Sequence, residues 1–197
     1  MTLGRPKSFD PHVAVQNALE CFWSNGFEAT SLQDLLDCTG LSKSSLYESF
    51  GSKQALFETC LTTYREDGVG RMTQRLAAAR SGLAFVTEML ESVTLESGAG
   101  TPRGCLVMNT AVEFAQKNAR VADLVSASIS DFSKVFHKAV KQAQAEGEIP
   151  KQKDANRLAL FIVSNMSGLR TLAKAGTPQK ELRSVARTVI QALQAST

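Results

Sequence analysis

Four cysteines, Cys21, Cys38, Cys60 and Cys105, and two histidines, His12 and His137, have the widest chemical range in this 197-residue chain. A thiol enzyme needs a cysteine beside a positioned histidine, and neither histidine stands in a catalytic context. The cysteines are far apart, with no C-x-x-C pair and no Cys/His cluster of metal-ligand spacing. No phosphate loop, nucleotide fingerprint or paired-carboxylate motif is present. The sequence therefore assigns no catalytic residue, no metal and no cofactor. Cys105 has one further reading, because it follows Gly104 at an expected helix start, where the dipole favours a thiolate. Arg103 adds positive charge there, and Lys174 ends a helix that can approach it. The same cysteine also fits a small buried core position. Cys21, Cys38 and Cys60 read as packing residues.

A second kind of chemistry, hydrogen bonding to a polyanion, is concentrated in Thr30 to Phe57. Ser31 and Asp34 have the spacing of a capping box, and Leu32, Leu35 and Leu36 follow on one apolar face. Gly40 stops this helix where a left-handed residue is needed, and Ser42 is placed to cap the next. Leu46 and Phe50, four apart, turn inward and leave Lys43, Ser44, Ser45, Tyr47 and Glu48 outward. Gly51 ends the second helix and Ser52 opens a third, longer one. This is the layout of a helix-turn-helix, whose second helix enters the major groove of double-stranded DNA. Lys43, Ser44 and Ser45 are the base-proximal candidates. The Tyr47 hydroxyl and the Lys53 charge suit phosphate, and Thr30, Ser31 and Ser42 complete the DNA-facing set. Upstream, Arg5 and Lys7 form a basic arm of the kind that reaches a minor groove. An ordinary helical hairpin with a polar face has the same spacing.

These residues also carry a resemblance. G-R-P-K-S-F-D at Gly4–Asp10, A-L-E-C-F-W-S-N-G-F-E-A-T-S at Ala18–Ser31 and G-L-S-K-S-S-L-Y-E-S-F-G-S-K-Q-A-L-F at Gly40–Phe57 resemble the DNA-binding domain of the tetracycline-repressor (TetR) family of bacterial transcription regulators. The resemblance covers roughly the first third of the chain; beyond it only the helical layout is similar. It implies a ligand-responsive dimeric repressor on a palindromic operator, released by a small-molecule effector. Activators occur in the same family. Some members sense electrophiles or oxidants through a cysteine of the ligand domain, a role that Cys105 would carry here.

The elements that must position these groups are helical. Ala, Leu, Gln, Lys and Glu are plentiful and strand-like alternation is scarce, so the expected class is all-α. Hydrophobic content of 43% and charged content of 21% are those of a globular protein. No apolar run approaches the ~20 residues of a membrane span, and no apolar signal core follows Arg5 and Lys7, so a cytoplasmic chain is expected. The net charge of +3 does not argue for nucleic acid, and residues 1–60 hold only four cations against seven acids. Those cations all lie in the arm, the second helix of the pair or the start of the third, where N–H groups also attract phosphate.

Two domains are expected: residues 1–57 reading DNA, and residues 58–197 binding ligand and dimerising. Asp10-Pro11 opens a first helix that ends near Asn25. The helix from Lys53 extends past Tyr64, and a bend or stop is expected at Gly68 and Gly70. After a loop at Ser97–Pro102, the helix from Arg103 to Phe114 holds Asn109, Thr110 and Glu113 among apolar neighbours. With Cys105 and with His137 on a later helix, these are the ligand-pocket candidates; packing by neighbouring helices accounts for them equally. The helix from Asp154 is apolar nearly all round and must be covered on two sides. The last helix places Leu182, Val185, Ala186, Val189, Ile190 and Leu193 on one face. Two such helices suit a four-helix homodimer interface, with Phe161, Ser164, Gly168, Leu182, Val185 and Val189 as its expected residues. A protein-binding helical adaptor is the competing class, and it has no need of the capped second helix or the basic arm.

Overall fold

The computed structural model describes residues 9–96, 102–114 and 117–195. Among them run nine helices and no strand, as the composition predicts. They form two compact units, Met1–Tyr64 and Arg65–Thr197.

The first unit holds α1 (Pro11–Asn25), α2 (Leu32–Thr39), α3 (Lys43–Phe50) and the start of α4 (Lys53–Ala78). Local signals set each boundary. The Asp10 carboxylate accepts from the His12 amide at 2.8 Å and Pro11 takes the first helical position. In α2 the capping box is complete: Ser31 N–H and Oγ both lie 2.7 Å from Asp34 Oδ2, and the Asp34 amide donates back to Ser31 Oγ at 3.1 Å. Gly40, at φ +70°, ends α2 in the left-handed conformation. Leu35, Leu46, Leu56, Phe22 and Phe57 are buried almost completely. Phe27 closes the aromatic side of this core, its ring 5.0 Å from that of Phe57.

The second unit contains the rest of α4 with α5 (Gly82–Glu96), α6 (Leu106–Phe114), α7 (Ala119–Ala145), α8 (Ala155–Lys174) and α9 (Gln179–Gln194). The expected stop in α4 does not occur: the helix runs through Gly68 and Gly70 to Ala78. At Gly68 the reason is packing. A Cβ there would stand 3.0 Å from Cε1 of Phe132, so glycine lets α4 close on α7, and that contact offsets the ~1 kcal/mol cost of glycine in a helix.

The start of α5 is tighter still. A Cβ on Gly82 would lie 2.1 Å from the Ala139 carbonyl oxygen. Its amide donates to Glu146 Oε2 at 3.0 Å, and the Leu83 amide to Glu148 Oε2 at 3.2 Å. Two acids beyond α7 thus cap a helix start, where negative charge is favoured. At the other end of this unit, Lys153 Nζ donates to the Ala192 and Leu193 carbonyls at 2.7 and 3.3 Å, closing α9.

Three of these capping carboxylates are held below their ordinary values. Asp34 is lowered by the Ser31 hydroxyl and then the Ser31 amide. Glu146 is lowered by the Gln142 side chain and then the Gly82 amide, and Asp154 by the Arg157 and then the Asn156 amide. A depressed folded pKa contributes stability that is full above the unfolded value and lost as pH falls through the folded one. Denaturant midpoints should therefore hold from neutrality to about pH 5 and fall as acid is added below about pH 4. A chain carrying Asp34→Ala, Glu146→Ala and Asp154→Ala starts lower and loses less across that interval. Equal losses in the two chains would discard the caps as the acid-sensitive groups.

Candidate nucleic-acid interface

Helix α3 presents the proposed reading face. Leu46 is fully buried beneath it, while Ser42, Lys43, Ser44, Tyr47 and Glu48 are exposed and Ser45 is half-buried. The three serines form one hydroxyl cluster. Ser42 Oγ accepts from the Ser45 amide at 3.1 Å and lies 3.0 Å from Ser44 Oγ and 2.9 Å from Ser45 Oγ. These hydroxyls stand at the N-terminus of a helix, where backbone N–H groups point outward and an anion is favoured. The Tyr47 side chain is 41% exposed, leaving its phenol free to donate. Ser31, exposed at the start of α2, is engaged with Asp34.

Two expected contacts are placed differently. Thr30 is fully buried, and its hydroxyl donates to the Gly26 carbonyl at 2.6 Å. It fastens the α1–α2 connection, and its hydroxyl is engaged there. Lys53 does not swing free: its ammonium sits 4.3 Å from the centroid of the Phe27 ring, a contact worth about 0.5–1 kcal/mol where exposed. Phe27 is a partner that spacing could not reveal, since it lies two helices upstream. Arg5 and Lys7 lie outside the described residues.

Two family patterns cover most of the chain. Residues 15–60 match "Bacterial regulatory proteins, tetR family", and residues 83–189, over half the chain, match "Tetracyclin repressor-like, C-terminal domain". The chain belongs to the TetR family. The HTH-type transcriptional repressor ComR of Escherichia coli is 30% identical, covering 95% of this chain and 90% of its own. The HTH-type transcriptional regulator YezE of Bacillus subtilis is 28% identical over 87% and 90%. Among solved structures, a cysteine mutant of the TetR family regulator CifR, complexed with 26 bp double-strand operator DNA, aligns with a TM-score of 0.81 at 30% identity. That alignment covers 96% of this chain and all of the other. As a TetR-family member the chain is a DNA-binding transcriptional regulator rather than an enzyme.

The second unit of this TetR-family chain separates its expected ligand contacts. Cys105 is buried, and its carbonyl accepts the first helical bond of α6 from the Asn109 amide at 2.9 Å. Lys174 does come to this corner: its Cδ would stand 3.3 Å from a Cβ on Gly104, as would Asn109 Oδ1. Asn109 donates its amide to the Arg103 carbonyl at 2.9 Å, and buried Thr110 donates to the Leu106 carbonyl at 2.8 Å. Thr110 spends its donor, and Asn109 one of its two, on local backbone. Glu113 is half-buried on the same helix. His137 belongs elsewhere. It lies toward Asp154, at the start of α8, whereas the Cys105 corner meets Lys174 at the end of α8.

The expected dimer residues divide in the same way. Leu182 and Val189 are 0% and 3% exposed, because α9 turns them into the protomer core with Ala186 and Leu193. They are therefore unavailable to a partner. Phe161, Ser164, Gly168 and Val185 remain exposed, joined by Leu160 and Leu172. Among the described residues, no group of His, Cys, Asp or Glu side chains could hold a metal ion, and no helix is long and apolar enough to cross a membrane.

The α3 face makes two substitutions distinguishable. Tyr47→Phe should weaken binding to every duplex alike, by about 1 kcal/mol for each hydroxyl–phosphate bond lost. Lys43→Ala should also relax sequence discrimination, by about 1–3 kcal/mol at the base it reads. Titration against a selected duplex and its single-base variants separates the two; a uniform loss for both would move Lys43 to the phosphates.

Proposed function

We propose that this chain is a dimeric repressor of a palindromic operator, released when a small molecule binds its C-terminal domain. The observation that carries this reading is the presence, in one chain, of an outward donor face on α3 and an exposed apolar strip on α8. A single head makes too few contacts for a tight specific complex. A two-fold pair places two recognition helices in successive major grooves, roughly 34–36 Å apart. Residues 1–57 would then read DNA and residues 58–197 bind ligand and pair the subunits, with α4 carrying the signal. An effector that prefers another head spacing weakens DNA binding by linkage, and tenfold release needs about 1.4 kcal/mol of differential affinity. The repressor named among the relatives and the operator DNA held by CifR support the sign and the partner. Selection of duplexes from a random library, with sedimentation of the protein–DNA complex, tests it. Two protomers on an inverted repeat are expected; one protomer on an asymmetric site would end the dimer reading.

One observation favours a second reading, release through the Cys105 thiol: the stem of Lys174 lies beside Gly104, the residue that precedes Cys105. Diamide or N-ethylmaleimide should then release DNA from the chain but not from Cys105→Ser. Release unchanged by that substitution would remove Cys105 from the signal.

A further inference from the structure

The three cysteines of the first unit, taken from the sequence as separate packing residues, converge. Cys21 of α1 and Cys38 of α2 meet side chain to side chain across the contact between their helices, with Cys60 of α4 close enough to feel both. The three are not equivalent. Cys60 is fully buried and its thiol donates to the Val15 carbonyl at 3.6 Å. Cys21 and Cys38 are only half-buried. The Cys21 sulfur accepts from the Asn25 side-chain amide at 3.8 Å, and the Cys38 thiol donates to the Leu35 carbonyl at 3.4 Å.

We propose that Cys21 and Cys38 are a dithiol switch inside the DNA-binding head, closed to a disulfide by a hydroperoxide and reopened by a low-molecular-weight thiol, with DNA affinity lost in the closed form. The assignment of roles follows from hydrogen bonding. The Cys21 sulfur accepts an N–H from Asn25, which suits the attacking sulfur, whereas the Cys38 thiol donates to the Leu35 carbonyl and desolvation, with the neighbouring Cys21, pushes it up to about 12. The Cys21 thiolate attacks the outer oxygen of the hydroperoxide ROOH; the O–O bond breaks, ROH leaves with a proton, and Cys21 becomes a sulfenic acid. The Cys38 sulfur then attacks the Cys21 sulfur, the S–O bond breaks, and water leaves with the Cys38 proton. In sum the two thiols lose two electrons and two protons, and the peroxide becomes ROH and water. Reduction is exchange with two equivalents of thiol, whose sulfurs become the new disulfide.

The effect on DNA follows from which helix yields. A disulfide holds its sulfurs at about 2.05 Å and its Cα atoms within about 4.4–6.8 Å, so closing it fixes the separation of α1 and α2 at this point. Helix α1 is anchored by five buried residues, including Leu19 and Phe22, whereas Leu35 is the one buried residue of α2. Helix α2 is therefore the one to take up the adjustment. Cys38 is two residues from the Gly40 turn that leads into Ser42 and α3, so the adjustment is passed to the start of the reading helix. Hydrogen bonds to phosphate and base edges hold only between about 2.7 and 3.2 Å, and a shift approaching an ångström breaks them.

The test uses the full chain carrying Cys105→Ser, so that the second unit has no thiol, and a duplex selected from a random library by the reduced protein. Cumene hydroperoxide should produce an intrachain peptide joining Cys21 to Cys38, lower the affinity by about tenfold or more, and be reversed by dithiothreitol. Cys21→Ser and Cys38→Ser, made separately in that background, should each keep their affinity under peroxide. If one variant fails to fold, the other and the peptide map still decide. Absence of the Cys21–Cys38 peptide, its formation with affinity unchanged, or loss of affinity in both serine variants would overturn the proposal. The DNA readout rests on the α3 reading, and the peptide map does not. Failure to select any duplex would thus count against α3 alone, with the disulfide still decided by the map.

Discussion

Phe161→Glu is expected to leave the chain monomeric and to lower its affinity for operator DNA by at least about a hundredfold, equivalent to about 2.7 kcal/mol. Phe161 is 39% exposed on α8, on a face that also carries Leu160, Leu172 and Gly168. At Gly168 a Cβ would meet nothing within 4 Å, so the protomer itself does not explain the glycine. In the proposed dimer a second helix approaching closely would explain it, because small residues let backbones come together. There a two-fold interface uses each residue twice. One substitution therefore removes two phenyl rings, each worth about 1.5–3 kcal/mol when buried, and inserts two like charges. Loss of the pair halves the number of heads on DNA. Val112→Glu is the control: it is the same kind of change at an apolar residue 81% exposed on α6. Sedimentation and DNA titration read both. A Phe161→Glu chain that stays dimeric and binds fully would move the interface off this face.

Gly82→Ala should destabilise the second unit by about 3 kcal/mol, lowering the thermal midpoint by roughly 6–12 °C. The new methyl would meet the Ala139 carbonyl oxygen at 2.1 Å and the Ala143 nitrogen at 2.6 Å. Both are backbone atoms within α7, so no side chain can rotate away. Relief requires α5 to lift from α7, which also withdraws the Gly82 and Leu83 amides from Glu146 and Glu148. Gly70→Ala gives the opposite sign in the same protein. It is helical with open space around it, and alanine there should gain about 1 kcal/mol. Thermal unfolding followed by helical circular dichroism compares the two. Equal, small shifts would show that α5 can slide on α7 without cost.

What could be read from the sequence was mostly local. Asp10-Pro11, the Ser31/Asp34 box, Gly40, Ser42 and Gly51 mark helix ends through residues one to four apart, and the observed α1, α2 and α3 begin and end there. What depends on a neighbour brought in by the fold was hidden. Periodicity shows that α9 has an apolar face but not what covers it, so Leu182, Val185 and Val189 are alike in sequence, although Leu182 and Val189 are buried and Val185 is exposed. Gly68 and Gly70 carry the same helix penalty in sequence; only Gly68 has an aromatic ring against it. Thr30 and Ser31 are adjacent hydroxyls, and burial alone tells the loop fastener from the cap. His137 and Cys105 share polarity among apolar neighbours, though they lie toward opposite ends of α8. The approach of Cys21 to Cys38 is set by how α1 crosses α2, which no spacing encodes.

The continuity of α4 has a mechanical consequence. Its 26 residues run unbroken across the division at Tyr64 and Arg65, a rod about 39 Å long. Leu56 and Phe57 are buried near its start; close to its middle, Arg65 pairs with Asp131 at 3.6 Å and Gly68 bears on Phe132. Between Lys53 and Ala78 the hydrogen-bonded ladder has no interruption to serve as a hinge, so a change at either contact is met by the helix as a whole and not absorbed at one residue.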